Sequence, residues 1–548
     1  MEHTLRWVDR SWVRALTLVL PAVVACRGAP HGEVAPPPAP APPPPPPDPS
    51  VRACAQHIEP TPPSPYPTWS TSCEMPALPD AYPLPRPAAD RPWQPAKGAA
   101  TGPLKVNAPK NIMKLLDALK AYVAPTFDPY LIDPTNADKR PDKQGWRMMP
   151  WVGELDCKLG ASGRDASAGT STGQLIPRGT LPGQRASADG DLQNHSITWY
   201  DPWAAYALSS VFGVGKPGAG NPANEQMVDG SVLVKIAVLT PYADGSEWPT
   251  AEGAPVWPVY RPPVGPDAEA CPAPATSFQL LSTRVLQFDI IVKSAYYAPE
   301  TEWVFATWLY DPDAKGDKPL DKFTALGAMW GNDPGIGQKD LCTPSTPLKQ
   351  SWINPKAPLY GYQQLGWGCR LAGPIDVARR PVTFDDGSTC ATARVSSCMS
   401  CHGSSELVHD GAPEGTESAT MYPLTTGYDK AFTLAMPGSP QWSQWFQSRK
   451  PTDPQGDQQG THKTLYTAFD YDMIFIMSVP ISRAAHGSSA MAEQARKVGL
   501  GLRDARKAVP WTALTAPLAA SANTPAKPPA GCDCSCLPPN RRPKGRKP

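Results

Sequence analysis

Three residues in the stretch Ser397-Cys398-Met399-Ser400-Cys401-His402-Gly403 have the types and the spacing to do chemistry. Two thiols three positions apart on one turn of helix can reach the two vinyl groups of a single porphyrin, and the next residue sets an imidazole beneath its iron. Cys398 and Cys401 are therefore expected to form thioethers to one covalent haem c, with His402 as the proximal iron ligand. With 13 Cys and 8 His among 548 residues, such a pattern arises by chance in roughly half a percent of chains. A Cys-x-x-Cys pair has two other uses. A thioredoxin-like redox pair does not need the following His, and a zinc site needs a second half that no other Cys-x-x-Cys or His pair supplies. The motif occurs once, which argues against a dihaem peroxidase or a multihaem wire.

The sixth iron position separates a carrier from a catalyst. A methionine sulfur there raises the potential and blocks substrates, while an open position admits peroxide or a gas. Met421, Met436, Met473, Met477 and Met491 follow the motif, and Met436, in a loop and followed by Pro437, is the preferred distal ligand. Met473 and Met477 fall on the apolar side of a predicted helix, where methionine serves packing. His409 is only seven residues from His402, too close to swing over the ring. His195, ahead of the aromatic run Trp199-Tyr200-Asp201-Pro202-Trp203, is a weaker candidate from outside the motif region.

The elements that must position this site follow from periodicity. Residues 51–190 read as a loop-rich cover with one helix, in which Ile112, Leu115, Leu116, Leu119 and Val123 keep helical spacing. Over 191–375 the period becomes two. Val232, Val234, Ile236 and Val238 share a strand face, as do Leu286, Phe288, Ile290 and Val292, and Trp303 to Tyr310 reads as a strand buried on both faces. The fold class is thus α+β, with a β-rich, sandwich- or barrel-like domain followed by a more helical, cytochrome c-like haem segment over 376–515. That segment has Phe469, Met473, Ile476 and Met477 at helical spacing and a second helix from Ser488 to Lys507. Residues 516–548 form a basic, Ala/Pro-rich tail expected to be disordered.

The start of the chain points to export. Arg6, Arg10 and Arg14 precede an apolar run from Ala15 to Ala25, too short for a comfortable membrane span. The run closes as Val23-Val24-Ala25-Cys26, similar to a bacterial lipobox. Residues 1–25 then form a signal peptide and Cys26 carries the lipid; an ordinary secretory signal cleaved nearby is the plainer alternative. Arg27, in place of an aspartate, favours the outer membrane. Residues 26–50 contain the proline run from Ala35 to Pro49, a polyproline II spacer of roughly 45 Å.

Charge excludes some partners: 51 basic against 50 acidic side chains leave no electrostatic case for nucleic acid. Besides Cys26 and the motif pair, ten cysteines remain: Cys54, Cys73, Cys157, Cys271, Cys342, Cys369, Cys390, Cys532, Cys534 and Cys536. In an oxidising compartment disulfides are their default, with connectivity open. Soft-metal binding at Cys532, Cys534 and Cys536 is a weaker use of the tail cluster.

The runs Met329-Trp330-Gly331-Asn332-Asp333-Pro334-Gly335, Trp352-Ile353-Asn354-Pro355, Leu365-Gly366-Trp367-Gly368 and Gly373-Pro374-Ile375-Asp376, leading into the haem motif, resemble a family of large secreted single-haem cytochrome c-like proteins. The resemblance covers roughly residues 195–480. It implies that the β-rich and haem parts form one unit, and only Cys398, Cys401 and His402 carry over as functional residues. Cys369 departs from the family's glycine-rich pattern. The expected activity is single-electron transfer with redox partner proteins of the bacterial envelope. The alternatives are a haem enzyme of peroxidase or oxygenase type and a non-redox haem-binding surface lipoprotein or gas sensor. No Ser-His-Asp set, Walker loop or dinucleotide fingerprint points to another enzyme class.

Overall fold

A computed structural model describes residues 86–95, 102–148, 169–176, 181, 192–212, 226–240, 248–261, 279–336, 347–383, 389–403, 405–408, 445–455 and 466–472. Cys26, His409, Met421, Met436, Met473, Met477, Met491, the predicted helix Ser488 to Lys507 and the tail cysteines lie outside the described residues.

The alternating segments pair into one nine-stranded antiparallel sheet. Its strands are β1 (Arg147–Met148), β2 (Ser171–Ile176), β3 (Leu192–Tyr200), β4 (Val232–Thr240), β5 (Val256–Arg261), β6 (Gln279–Lys293), β7 (Trp303–Tyr310), β8 (Phe323–Met329) and β9 (Ser351–Ile353). The main path runs β1-β3-β4-β6-β7-β8-β9, with β2 paired to β3 and β5 to the first part of β6. Among the described residues this sheet is open at both ends. The β-rich expectation therefore takes the form of a single broad sheet, which also draws β1 and β2 from the region read as cover. β1 is two residues long and β2 reads Ser-Thr-Gly-Gln-Leu-Ile, so neither offers an apolar alternation to find it by.

Register assigns the faces. Ile236 lies opposite both Ile197 and Phe288, and Phe288 lies opposite Trp308, so these side chains share one face. Helix α1 (Pro109–Ile132) covers it, starting with proline at its first turn and burying Ile112, Leu115, Leu116, Leu119, Val123, Phe127 and Tyr130. Phe127 meets Phe288 edge-on at 5.7 Å between ring centroids, and Tyr130 meets Trp199 and Trp257 at 5.7 and 5.0 Å. A second helix, α2 (Pro202–Phe212), follows β3.

The opposite face carries Asn194 and Tyr200 of β3, Lys235 of β4, Gln287, Asp289 and Lys293 of β6, and Trp303, Phe305 and Thr307 of β7. It is covered by the chain beyond β9, which explains why β7 is buried at every position from Trp303 to Tyr310. That chain includes β10 (Arg379–Thr383), β11 (Thr389–Arg394), the motif helix Cys398–His402, β12 (Glu406–Val408), β13 (Pro454–Gln455) and β14 (Tyr466–Ala468). Its described elements are mainly strands. Phe469, predicted to open a helix, sits just past β14 in non-helical backbone, because Ala468 and Phe469 bond back to Asp453 and Ser405. A Phe-x-x-x-Met spacing cannot distinguish a helix from a strand end followed by a turn.

Candidate functional site

The motif helix is a single turn, so its ends must be held from outside. Ser397 caps it: its Oγ accepts from the Ser400 N–H at 2.9 Å, and the Ser400 Oγ accepts from the Ser397 N–H at 2.8 Å. The Ser397 hydroxyl in turn donates to Asn332 Oδ1 at 2.7 Å. Asn332 belongs to the loop after β8 and also donates through Nδ2 to the Gln447 carbonyl. The Cys398 N–H donates to the Leu371 carbonyl at 3.0 Å. Gly366 lets the backbones approach, since a Cβ there would lie 1.9 Å from the Ser396 carbonyl oxygen.

Neither Cys398 nor Cys401 is in a disulfide, and both are half-buried beside the half-buried His402. His402 packs on Phe305 of the sheet, ring centroids 4.9 Å apart. Its Nδ1 lies 3.1 Å from the Tyr471 carbonyl oxygen. A carbonyl only accepts, so the proton sits on Nδ1 and the Nε2 lone pair is left for a metal. Burial, with the Lys235 charge adding to it, lowers the His402 pKa to about 4, against the pull of the Tyr471 carbonyl and Asp376. The ring is therefore neutral at physiological pH, as ligation requires.

Beneath Cys398 lies a charged cluster on the sheet. Lys235 Nζ pairs with Asp376 Oδ2 at 2.8 Å. Gln287 Nε2 donates to Asp289 Oδ2 at 2.7 Å and also to Asp376, and Asn194 Nδ2 donates to Asp376 Oδ1 at 3.0 Å. Gly373 leaves the space for Gln287, which a Cβ there would meet at 2.1 Å. Burial pushes the Cys398 thiol up, and the Asp289 and Asp376 carboxylates reinforce it, so the thiolate is disfavoured. A zinc ligand or a reactive redox thiol needs the opposite environment, whereas a thioether carries no charge.

Burial, reinforced by the Asp376 carboxylate, also raises the Asp289 pKa to about 7 despite Lys235 and Gln287. Since the folded state holds this proton more tightly than the unfolded chain, Asp289 contributes stability that is present below its ordinary pKa near 4 and lost as pH rises towards 7. The loss is on the order of 3–4 kcal/mol. We expect Asp289→Asn to flatten the decline in urea-unfolding stability between pH 5 and 8; parallel curves for the two proteins would show Asp289 ionised throughout.

Only part of this constellation is visible in local sequence. Cys398, Cys401 and His402 lie on the single turn of the motif helix. His195 does not join them: its register with Val238 puts it on the face shared by Ile197 and Trp199, opposite to His402. Asn332, Gly366, Gly373 and Asp376 lie in the runs that carry the family resemblance, and each ends against the motif or the cluster beneath it. Phe305, Tyr471 and Arg449 have no such signal, since a carbonyl acceptor can come from any residue. Cys369 is disulfide-bonded and adopts φ 63° directly after Gly368 at the same φ. A side chain in that left-handed conformation costs about 1–3 kcal/mol, where glycine would adopt it freely.

No protein-family profile matches the chain, and neither a curated protein nor a solved structure matches it.

Proposed function

We propose that this chain is an envelope c-type cytochrome that holds one covalent haem and passes single electrons between redox partners. One arrangement carries the reading: a neutral imidazole whose Nδ1 proton is engaged by the Tyr471 carbonyl, one position after two cysteines that are spaced by a helical turn and are not in a disulfide. Haem bound here supplies a reversible one-electron iron couple.

The protein's own residues do the rest. Cys398 and Cys401 supply the thioether sulfurs, and His402 supplies Nε2. Tyr471 fixes the tautomer and plane of that ring, a partner of the kind that tunes ligand basicity. Phe305 backs the ring with an apolar wall, which favours the less charged state of a bound iron centre. Ser397 and Asn332 hold the start of the motif helix. The helical, cytochrome c-like character expected over 376–515 and Met436 as distal ligand belong to this reading. So do export, the lipid on Cys26 and an outer-membrane location, which the basic-apolar start and the Val23-Val24-Ala25-Cys26 sequence support.

The test is the visible spectrum of protein extracted from the membrane fraction. We expect a low-spin spectrum in both oxidation states, indifferent to carbon monoxide. A high-spin ferric form that reacts with peroxide would instead support the catalytic alternative. Recovery without detergent would count against the anchor.

A further inference from the structure

Arg449 is 2% exposed and ties two loops together at the motif. Its Nε donates to the Gly403 carbonyl at 2.8 Å and its Nη2 to the Ser405 carbonyl at 2.8 Å, both on the loop that leaves His402. Its Nη1 donates to the Phe469 carbonyl at 2.6 Å, two residues before Tyr471. The guanidinium carbon stands 4.6 Å from the Tyr471 ring centroid. The Tyr471 hydroxyl donates to the Arg449 carbonyl at 2.8 Å and accepts from the Arg449 N–H at 3.1 Å. One side chain therefore joins the loop that follows the imidazole to the loop that supplies its hydrogen-bond acceptor.

The chemistry of arginine suits this role. Its planar fork presents five donors in fixed directions and stacks on an aromatic face, so it can hold three carbonyls at once, while a lysine ammonium is a compact point donor on a flexible stem. Gly403, Ser405 and Phe469 all accept through backbone carbonyls, so ion pairing is not what places the group.

We propose that Arg449 is the positioning residue for the His402 imidazole, locking Gly403 and Ser405 against Phe469 and Tyr471 so that the ring meets the iron in a single orientation. The inference rests on His402 being an iron ligand. It adds that the ligand's geometry is set by a residue 47 positions away in the chain, with no contact of its own to the haem required.

The test uses the full-length haem-loaded protein, with Arg449→Lys, Arg449→Gln and the milder Tyr471→Phe. The readouts are covalent haem on a denaturing gel, the hyperfine-shifted His402 ring proton resonances of the ferric form, and the midpoint potential. We expect all three variants to keep covalent haem. The His402 resonances should shift or split into several sets in both Arg449 variants and to a smaller extent in Tyr471→Phe. Arg449→Gln, which also removes a buried positive charge, should lower the midpoint potential further than Arg449→Lys. Ring resonances unchanged from the parent in folded Arg449→Lys and Tyr471→Phe would overturn the proposal. Absence of covalent haem from the parent itself would instead overturn the haem reading, so the two failures are distinguishable.

Discussion

A chain with serine at both Cys398 and Cys401 will show no haem on a denaturing gel stained for haem-dependent peroxidase activity, while the parent band stains fully. A serine hydroxyl does not replace a thiol in forming the thioether, and without that bond nothing in the unfolded chain retains the group. The loss should not stem from unfolding. Both thiols are half-buried, and the motif helix is held by the Ser397 cap, the Asn332 contact and the Cys398 backbone N–H, none of which uses a cysteine side chain. Far-ultraviolet circular dichroism of the double variant should therefore match that of haem-free parent. Each single variant should keep one bond and stain partly. A double variant that still carries haem through denaturation would refute the attachment at these residues.

The second large effect is expected at Asp470. Its carboxylate is fully buried and accepts three hydrogen bonds: from Lys293 Nζ at 2.6 Å, from Trp303 Nε1 at 2.9 Å and from the Met227 N–H at 2.6 Å. Lys293 and Trp303 lie on the sheet face that seats the motif, so Asp470 pins the segment carrying Tyr471 to the sheet. Asp470→Ala leaves a buried ammonium without its counter-ion and strands two N–H donors. Breaking one partner of a buried pair costs about 3–5 kcal/mol, against a total stability on the order of 5–15 kcal/mol for a folded domain. Urea unfolding followed by tryptophan fluorescence should show a midpoint shift of that size. Removing both charges with Lys293→Met and Asp470→Leu should cost less than Asp470→Ala alone, because no buried charge is then left unpaired. A cost below about 1 kcal/mol for the single change would mean that the pair is solvated.

These two expectations come from different kinds of information. The cysteine experiment could be designed from the sequence, because the motif is a local pattern whose spacing has a direct chemical reason. The Asp470 experiment could not, since its partners lie 167, 177 and 243 positions away. Intermediate cases are instructive. The strands at Val232–Val238 and Trp303–Tyr310 were legible because alternation and apolar content are local, but that both faces of β4 would be buried was not. The second face is covered by chain more than a hundred residues downstream. The helix over residues 112–123 was legible for the same local reason, whereas β1 is too short to leave a pattern. Phe469 shows the converse failure: read as the start of a helix, it lies just past β14 in non-helical backbone, its N–H donating to the Ser405 carbonyl and its carbonyl accepting from Arg449.

By itself, the sequence determined which atoms could bond a porphyrin and its iron, since Cys-x-x-Cys-His encodes the two sulfurs and one nitrogen within a single helical turn. It also determined that a β-rich body precedes them. The tertiary structure alone decided the state of those atoms: which nitrogen of His402 bears the proton, that the ring is neutral, that the Cys398 thiol is held from ionising, and that Arg449 and Asp470 brace the loop bearing Tyr471. Protonation and orientation depend on burial and on carbonyls and charges brought together by long-range pairing, and such groups leave no mark on the residues nearest the motif.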